Sequence, residues 1–140
     1  MSEDISADLK AAYAATEYWV HTTTPFYFSI DCFSVDLAKL HQTYGCDSSA
    51  FITACNPFSV ARTDLQNTKA NEKLCALLRP HCVALLEGEG QDSERQWPAE
   101  ASFLALGITR EQSCTLGVEF QQNAIVYMGS DARPELVLLR

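Results

Sequence analysis

Val83-Ala84-Leu85-Leu86, then Gly88-Glu89-Gly90, then Ala101-Ser102-Phe103-Leu104-Ala105-Leu106 is the stretch that decides the fold. The outer two runs are apolar and of strand length. Gly88-Glu89-Gly90 opens the most polar part of the chain, Gln91–Gln96, which reads as a surface loop. Two strands therefore follow one another with no helix between them. The same arrangement recurs on either side. Glu17–Thr22 and Phe26–Ile30 are β-rich runs joined through Thr23-Thr24-Pro25, a hairpin connection. Ala124–Met128 and Leu136–Leu139 flank a Gly-Ser-Asp turn.

Helices fill the remaining intervals. Ile5, Leu9, Ala12 and Tyr13 form an amphipathic stripe within residues 3–16. Ser34 N-caps a second helix whose Leu37, Leu40, His41 and Tyr44 share a face, and Gly45 supplies its left-handed stop. After a short buried strand at Ala50–Ala54, Thr63 and Gln66 have the spacing of a capping box for a helix reaching Leu78, which Pro80 stops. Thr109 and Gln112 repeat that spacing for a helix to about Gln121. The order is α, ββ, α, β, α, ββ, α, ββ. So many adjacent strands indicate an α+β fold rather than a doubly wound sheet. The expectation is one domain over residues 1–140, with a mixed, mostly antiparallel sheet of about six to seven strands and about four helices.

Composition bounds the function. At 140 residues, 47% hydrophobic and 20% charged, with 6 Gly and 5 Pro, the chain is neither disordered, collagen-like nor coiled-coil. Eighteen acidic residues against ten basic give a net charge of −8, a sign that repels phosphate backbones and anionic membranes. Neither nucleic acid nor a membrane is an expected partner. The N-terminus Met1-Ser2-Glu3-Asp4-Ile5-Ser6 lacks a signal peptide's basic and apolar regions, and no apolar run approaches bilayer length, so a cytoplasmic location is expected. In that compartment Cys32, Cys46, Cys55, Cys75, Cys82 and Cys114 are expected as thiols. No cysteine pair has metal-ligand spacing, so no metal site is assigned.

The familiar nucleotide, zinc-protease and hydrolase signatures are absent, and no motif calls for a cofactor. His21, His41 and His81 are isolated, and His41 on its apolar helix face reads as a satisfied core residue. The informative anomaly is Asn67, Asn71, Leu74 and Leu78, which share one stripe at i, i+4, i+7 and i+11. If the leucines face the core, so do the asparagines, and an unpaired inward amide costs about 1–3 kcal/mol. They either brace neighbouring backbone or face a cavity. Arg62 would add a cation at the start of that helix, where free amides favour negative charge. Gln121-Gln122-Asn123 is a second polar group, readable as a helix C-cap with Asn123 left-handed. Glu100 and Ser102 point to one side of their strand. Glu89 and Glu100 are the candidate acid/base or metal pair, against the commoner reading of two solvated carboxylates.

Phe51-Ile52-Thr53-Ala54-Cys55-Asn56-Pro57-Phe58-Ser59, Asn67, Asn71, Gly88-Glu89-Gly90, Trp97-Pro98-Ala99-Glu100-Ala101-Ser102-Phe103-Leu104 and Gln122-Asn123-Ala124-Ile125-Val126 together resemble a bacterial family of short proteins, domain of unknown function 3293. The resemblance covers about residues 13–128. The family commonly has an aromatic at the position of Cys55 and a basic residue at that of Phe58, so it assigns neither side chain a role. It implies a stand-alone bacterial cytoplasmic domain with motif residues that are mainly amides, hydroxyls and glutamates.

Two classes of function follow. In the first, Thr53, Asn56, Ser59, Arg62, Asn67, Asn71, Ser102, Gln122 and Asn123, with Glu100, line a polar cleft at one end of the sheet. Such a cleft suits a small nucleotide-, sugar- or amino-acid-like ligand. If chemistry occurs there, Glu100 or Glu89 is its base. In the second, the acidic stretch Glu87–Glu100 presents a surface to a basic partner protein and the amides only brace loops.

Overall fold

The computed structural model describes residues 6–140. Its elements run α1 (Ala7–Ala14), β1 (Thr16–Val20), β2 (Phe26–Phe28), α2 (Val35–Tyr44), β3 (Ser49–Ile52), α3 (Asp64–Leu78), β4 (Ala84–Asp92), β5 (Glu100–Leu106), α4 (Arg110–Glu119), β6 (Ala124–Met128) and β7 (Glu135–Leu138). Short 3-10 turns occupy Pro57–Ser59 and Arg79–His81. The seven strands form one sheet in the order β2-β1-β4-β5-β3-β6-β7. The fold class is the expected α+β, and each strand pairing is antiparallel, with no parallel pair among the described residues.

Local chemistry sets the helix ends. The Ser34 hydroxyl accepts from the Leu37 amide, and Gly45 closes α2 at φ 65°. Thr63–Gln66 and Thr109–Gln112 both form reciprocal capping boxes, each satisfying two helix-end donors. α1 departs from its expected role. Ile5 lies outside the described residues, Ala12 is exposed, Leu9 and Tyr13 are half-buried, and the helix buries no residue. With one leucine and one tyrosine on its inner face, α1 has too little apolar surface to enter the core.

The sheet has helices on both sides. On one face Tyr18, Val20, Phe28, Phe51, Leu104, Leu106, Val126 and Met128 pack with Leu37 of α2. On the other, Ala50, Ile52, Ala105 and Ile125 pack with Leu74 and Leu78 of α3 and Leu116 of α4. A fully buried leucine contributes roughly 1.5–3 kcal/mol through removal from water, so these two layers hold the sheet between its helices. His41 is buried against the same strand layer, with its Nε2 2.8 Å from the Ser49 hydroxyl. All six cysteines are free thiols.

The stretch expected as a loop after Leu86 is instead strand. β4 continues through Gly88-Glu89-Gly90 to Asp92, with Gly88 paired to Val20 and Gly90 to Tyr18. Gly88 marks close approach rather than a turn. A Cβ at Gly88 would run into the Trp19 carbonyl oxygen and press on the Phe51 ring at 3.1 Å. Removing it lets β1 lie against β4 and leaves room for the stacked Tyr18–Phe28 pair and the edge-on Phe51 ring.

Candidate functional site

Antiparallel register gathers the sequence motifs at one end of the sheet. Ile52 pairs with Phe103 and Phe51 with Val126, so the exit of β3 lies beside the entries of β5 and β6. This brings Thr53–Ser59 next to Glu100–Ser102 and Gln122–Asn123, with the N-terminal half of α3 above them.

Asn71 is buried and its amide is bonded on both sides. Its Oδ1 accepts from the Ala54 amide at 2.8 Å, while its Nδ2 donates to the Ala101 carbonyl at 3.0 Å and contacts the Cys55 sulfur at 3.3 Å. One turn earlier, Asn67 Oδ1 accepts from the Asn56 amide and its Nδ2 donates to Asn56 Oδ1, both at 2.9 Å. Asn56 Oδ1 also accepts from the Arg62 amide at 2.9 Å, and Asn56 Nδ2 donates to Glu100 Oε2 at 2.7 Å. The Thr53 hydroxyl donates to the Ala101 carbonyl at 2.7 Å and accepts from the Cys55 amide at 3.0 Å. Gln122 donates to the carbonyls of Cys55 and Phe120 at 3.1 and 3.3 Å. The Ser102 hydroxyl donates to the Glu100 carbonyl at 3.0 Å. The expected inward stripe on α3 exists, and its amides brace the β3 exit and the loop that follows.

That loop is strained. Asn56, Phe58 and Ser59 have φ of 45°, 52° and 63°, and Gln121 opposite them has 58°. The Phe58 amide donates to the Gln121 carbonyl at 2.7 Å, locking the two left-handed segments together. Gln121 therefore takes the left-handed position expected of Asn123. Asn123 instead donates from Nδ2 to the Ser59 hydroxyl and accepts at Oδ1 from Arg140, both at 2.9 Å. The Arg140 guanidinium also lies 4.3 Å from the centre of the Phe58 ring. Non-glycine residues held left-handed cost about 1–3 kcal/mol each and persist where surrounding contacts over-determine them.

Glu100 stands at the centre. It is half-buried, Asn56 is its hydrogen-bond partner, and no cation pairs with it among the described residues. Burial pushes its carboxyl above the usual range, with the Asn56 bond acting in the opposite sense. Tyr13 joins it from α1. Burial raises the phenol, the neighbouring Ser59 and Asn123 side chains oppose that, and the Glu100 charge adds to it. The carbonyl of Tyr13 accepts from the Tyr18 hydroxyl at 2.9 Å, which ties the end of α1 to the sheet. No signal in the sequence pairs Tyr13 with this site, because the contact is long-range and its residue type fits a core stripe equally well.

Glu89 does not join Glu100. Gly90 is the partner of Glu100 in the β4–β5 register, so Glu89, one residue away, projects from the opposite face, 3.1 Å from His21. The candidate acid/base or metal pair is therefore divided by the sheet. Cys55 is buried, and desolvation pushes its thiol up. Such a thiol is a weak nucleophile. Arg62 is exposed and meets the cluster through its backbone amide. Two shallow hollows lie elsewhere. One of about 450 Å³ is lined by His81, Thr109, Gln112 and Thr115. The other, of about 290 Å³, is lined by Arg110, Tyr127, Asp131, Arg133 and Glu135.

The sequence model of a family described as "Protein of unknown function (DUF3293)" matches residues 52–125. The chain belongs to this family. The matched span of this DUF3293 member holds α3, β4, β5 and α4 entire, with the exit of β3 and the entry of β6. It includes the bracing amides and Glu100, while Tyr13 and Arg140 reach the site from outside it. No curated protein and no solved structure matches the chain. No helix of the described residues is long and apolar enough to cross a membrane.

Proposed function

We propose that this end of the sheet binds a small polar ligand, nucleotide-, sugar- or amino-acid-like, through Glu100. The observation that carries the reading is the carboxylate itself, half-buried and held by Asn56 with no cation beside it among the described residues. Withdrawing an unpaired carboxylate from water is unfavourable, and nothing in the surrounding packing requires an acid there. A ligand that offers N–H or O–H donors supplies the missing partners. Thr53, Asn67, Asn71, Ser102, Gln122 and Asn123 act in this reading as supports. They hold Asn56 and Ser59 in place so that Glu100, the Tyr13 hydroxyl and the exposed Ser59 and Arg62 present toward the ligand. Preorganisation of this kind lowers the ordering cost of binding. Glu100 is also the group with acid–base capacity, since its proton is held to higher pH than that of an exposed glutamate.

Thermal-shift measurements against nucleosides, amino sugars and amino acids test the reading, because a ligand selective for the folded state raises Tm. At least one of these classes is expected to raise Tm in the wild type and to leave Glu100→Gln unmoved. A shift that survives in Glu100→Gln, or no shift from any class, overturns it.

A further inference from the structure

The helices cover only part of the sheet. α3 and α4 lie over β3, β5 and β6 and reach β4 at Leu85, and among the described residues no helix makes an extended contact with β2 or β1. Strand alternation places Glu17 and Trp19 of β1, His21 just after it, Tyr27 of β2 and Glu87 and Glu89 of β4 on that open face. Trp19 and Tyr27 have ring centroids 5.0 Å apart, and Tyr27 is 48% exposed. Trp19 donates its indole N–H to Glu17 at 3.1 Å. Glu87 is exposed beside them. The face already holds one guanidinium: Arg95, from the connection after β4, sits 2.9 Å from Glu17.

We infer that this open face of β2, β1 and β4 is a docking surface for an arginine- or lysine-rich segment of a partner protein. It lies across the sheet from Glu100 and is independent of the ligand site. Carboxylates beside a partly exposed aromatic pair suit a cation twice over, by charge and by the ring quadrupole, and a planar guanidinium best of all. Arg95 on Glu17 shows that a carboxylate of this face takes a guanidinium. A second copy of the chain fits poorly, since two-fold pairing would bring Glu87 and Glu89 against themselves. Polyanions are opposed by the same carboxylates.

The test titrates fluorescein-labelled octa-arginine with the full chain and reads anisotropy at physiological ionic strength. Glu87→Lys/Glu89→Lys is expected to weaken binding at least about tenfold. Glu72→Lys/Glu119→Lys, an equal charge change at exposed positions of α3 and α4, is expected to weaken it less than about threefold. Glu87→Lys alone, which breaks no side-chain bond, serves if the double variant loses its fold by circular dichroism. Equal losses in the two double variants would assign the binding to diffuse charge and overturn the proposal. So would the absence of measurable binding. A dimer in sedimentation that Glu87→Lys dissolves would assign the face to a second copy instead.

Discussion

Asn56 is held by groups from three separate segments: its amide and Oδ1 by Asn67, the same Oδ1 by the Arg62 amide, and its Nδ2 by Glu100. Asparagine is among the few residues that tolerate the left-handed backbone this position needs. Because each bracing amide satisfies a backbone group, removing one orphans its partner. Asn71→Ala is therefore expected to lower stability by about 1–3 kcal/mol in urea unfolding. A loss within error would mean that the bonds to Ala54 and Ala101 are replaced by water. Glu100 behaves in the opposite way. Its folded pKa is raised above the ordinary 4.5, so its contribution to stability is complete below that value and is lost as pH rises through the folded pKa. Glu100→Gln is expected to melt higher than wild type at pH 7, with the difference shrinking toward pH 4. A variant that melts lower at pH 7 would show the carboxylate to be structural. His41 titrates with the reverse sign. Burial lowers its pKa below the ordinary 6.5, so stability is lost as pH falls from that value through the folded pKa. His41→Gln is expected to flatten the fall in Tm between about pH 7 and 5, measured by calorimetry.

Elements with local signals are legible in the sequence. Ser34, Thr63 and Thr109 cap their helices by side-chain bonds to nearby amides, and local residue type and spacing reveal those. The stripe Asn67, Asn71, Leu74, Leu78 is legible for the same reason, since helical periodicity ties each residue to the next. Leu74 is fully buried between α3 and the sheet, and Leu74→Ala is expected to cost about 2–5 kcal/mol as a cavity mutation. A loss under about 1 kcal/mol would displace α3 from its assigned face. What the sequence hides depends on distant partners. Gly88-Glu89-Gly90 resembles a turn until β1 is laid beside it, and the side to which Glu89 points follows from the register, which no local pattern contains. Tyr13 belongs to the site only because β1 carries α1 to the sheet end.

At the scale of the molecule, the span matched by the DUF3293 model supplies β4 and β5 with the adjoining ends of β3 and β6, the middle of the sheet. β2-β1 and β7 are added at the two edges, and those edge strands β2 and β7 have three and four residues. Short edges offer little template for unwanted pairing. The order β2-β1-β4 has a temporal consequence. The β1–β2 hairpin is synthesised first, yet the strand it must join is made after α2, β3 and α3. A two-stranded hairpin is marginal by itself in water, so the earliest-made strands are among the last to settle. During vectorial synthesis the Trp19–Tyr27 pair waits, unsheltered, for Gly88 and Glu89 to leave the ribosome.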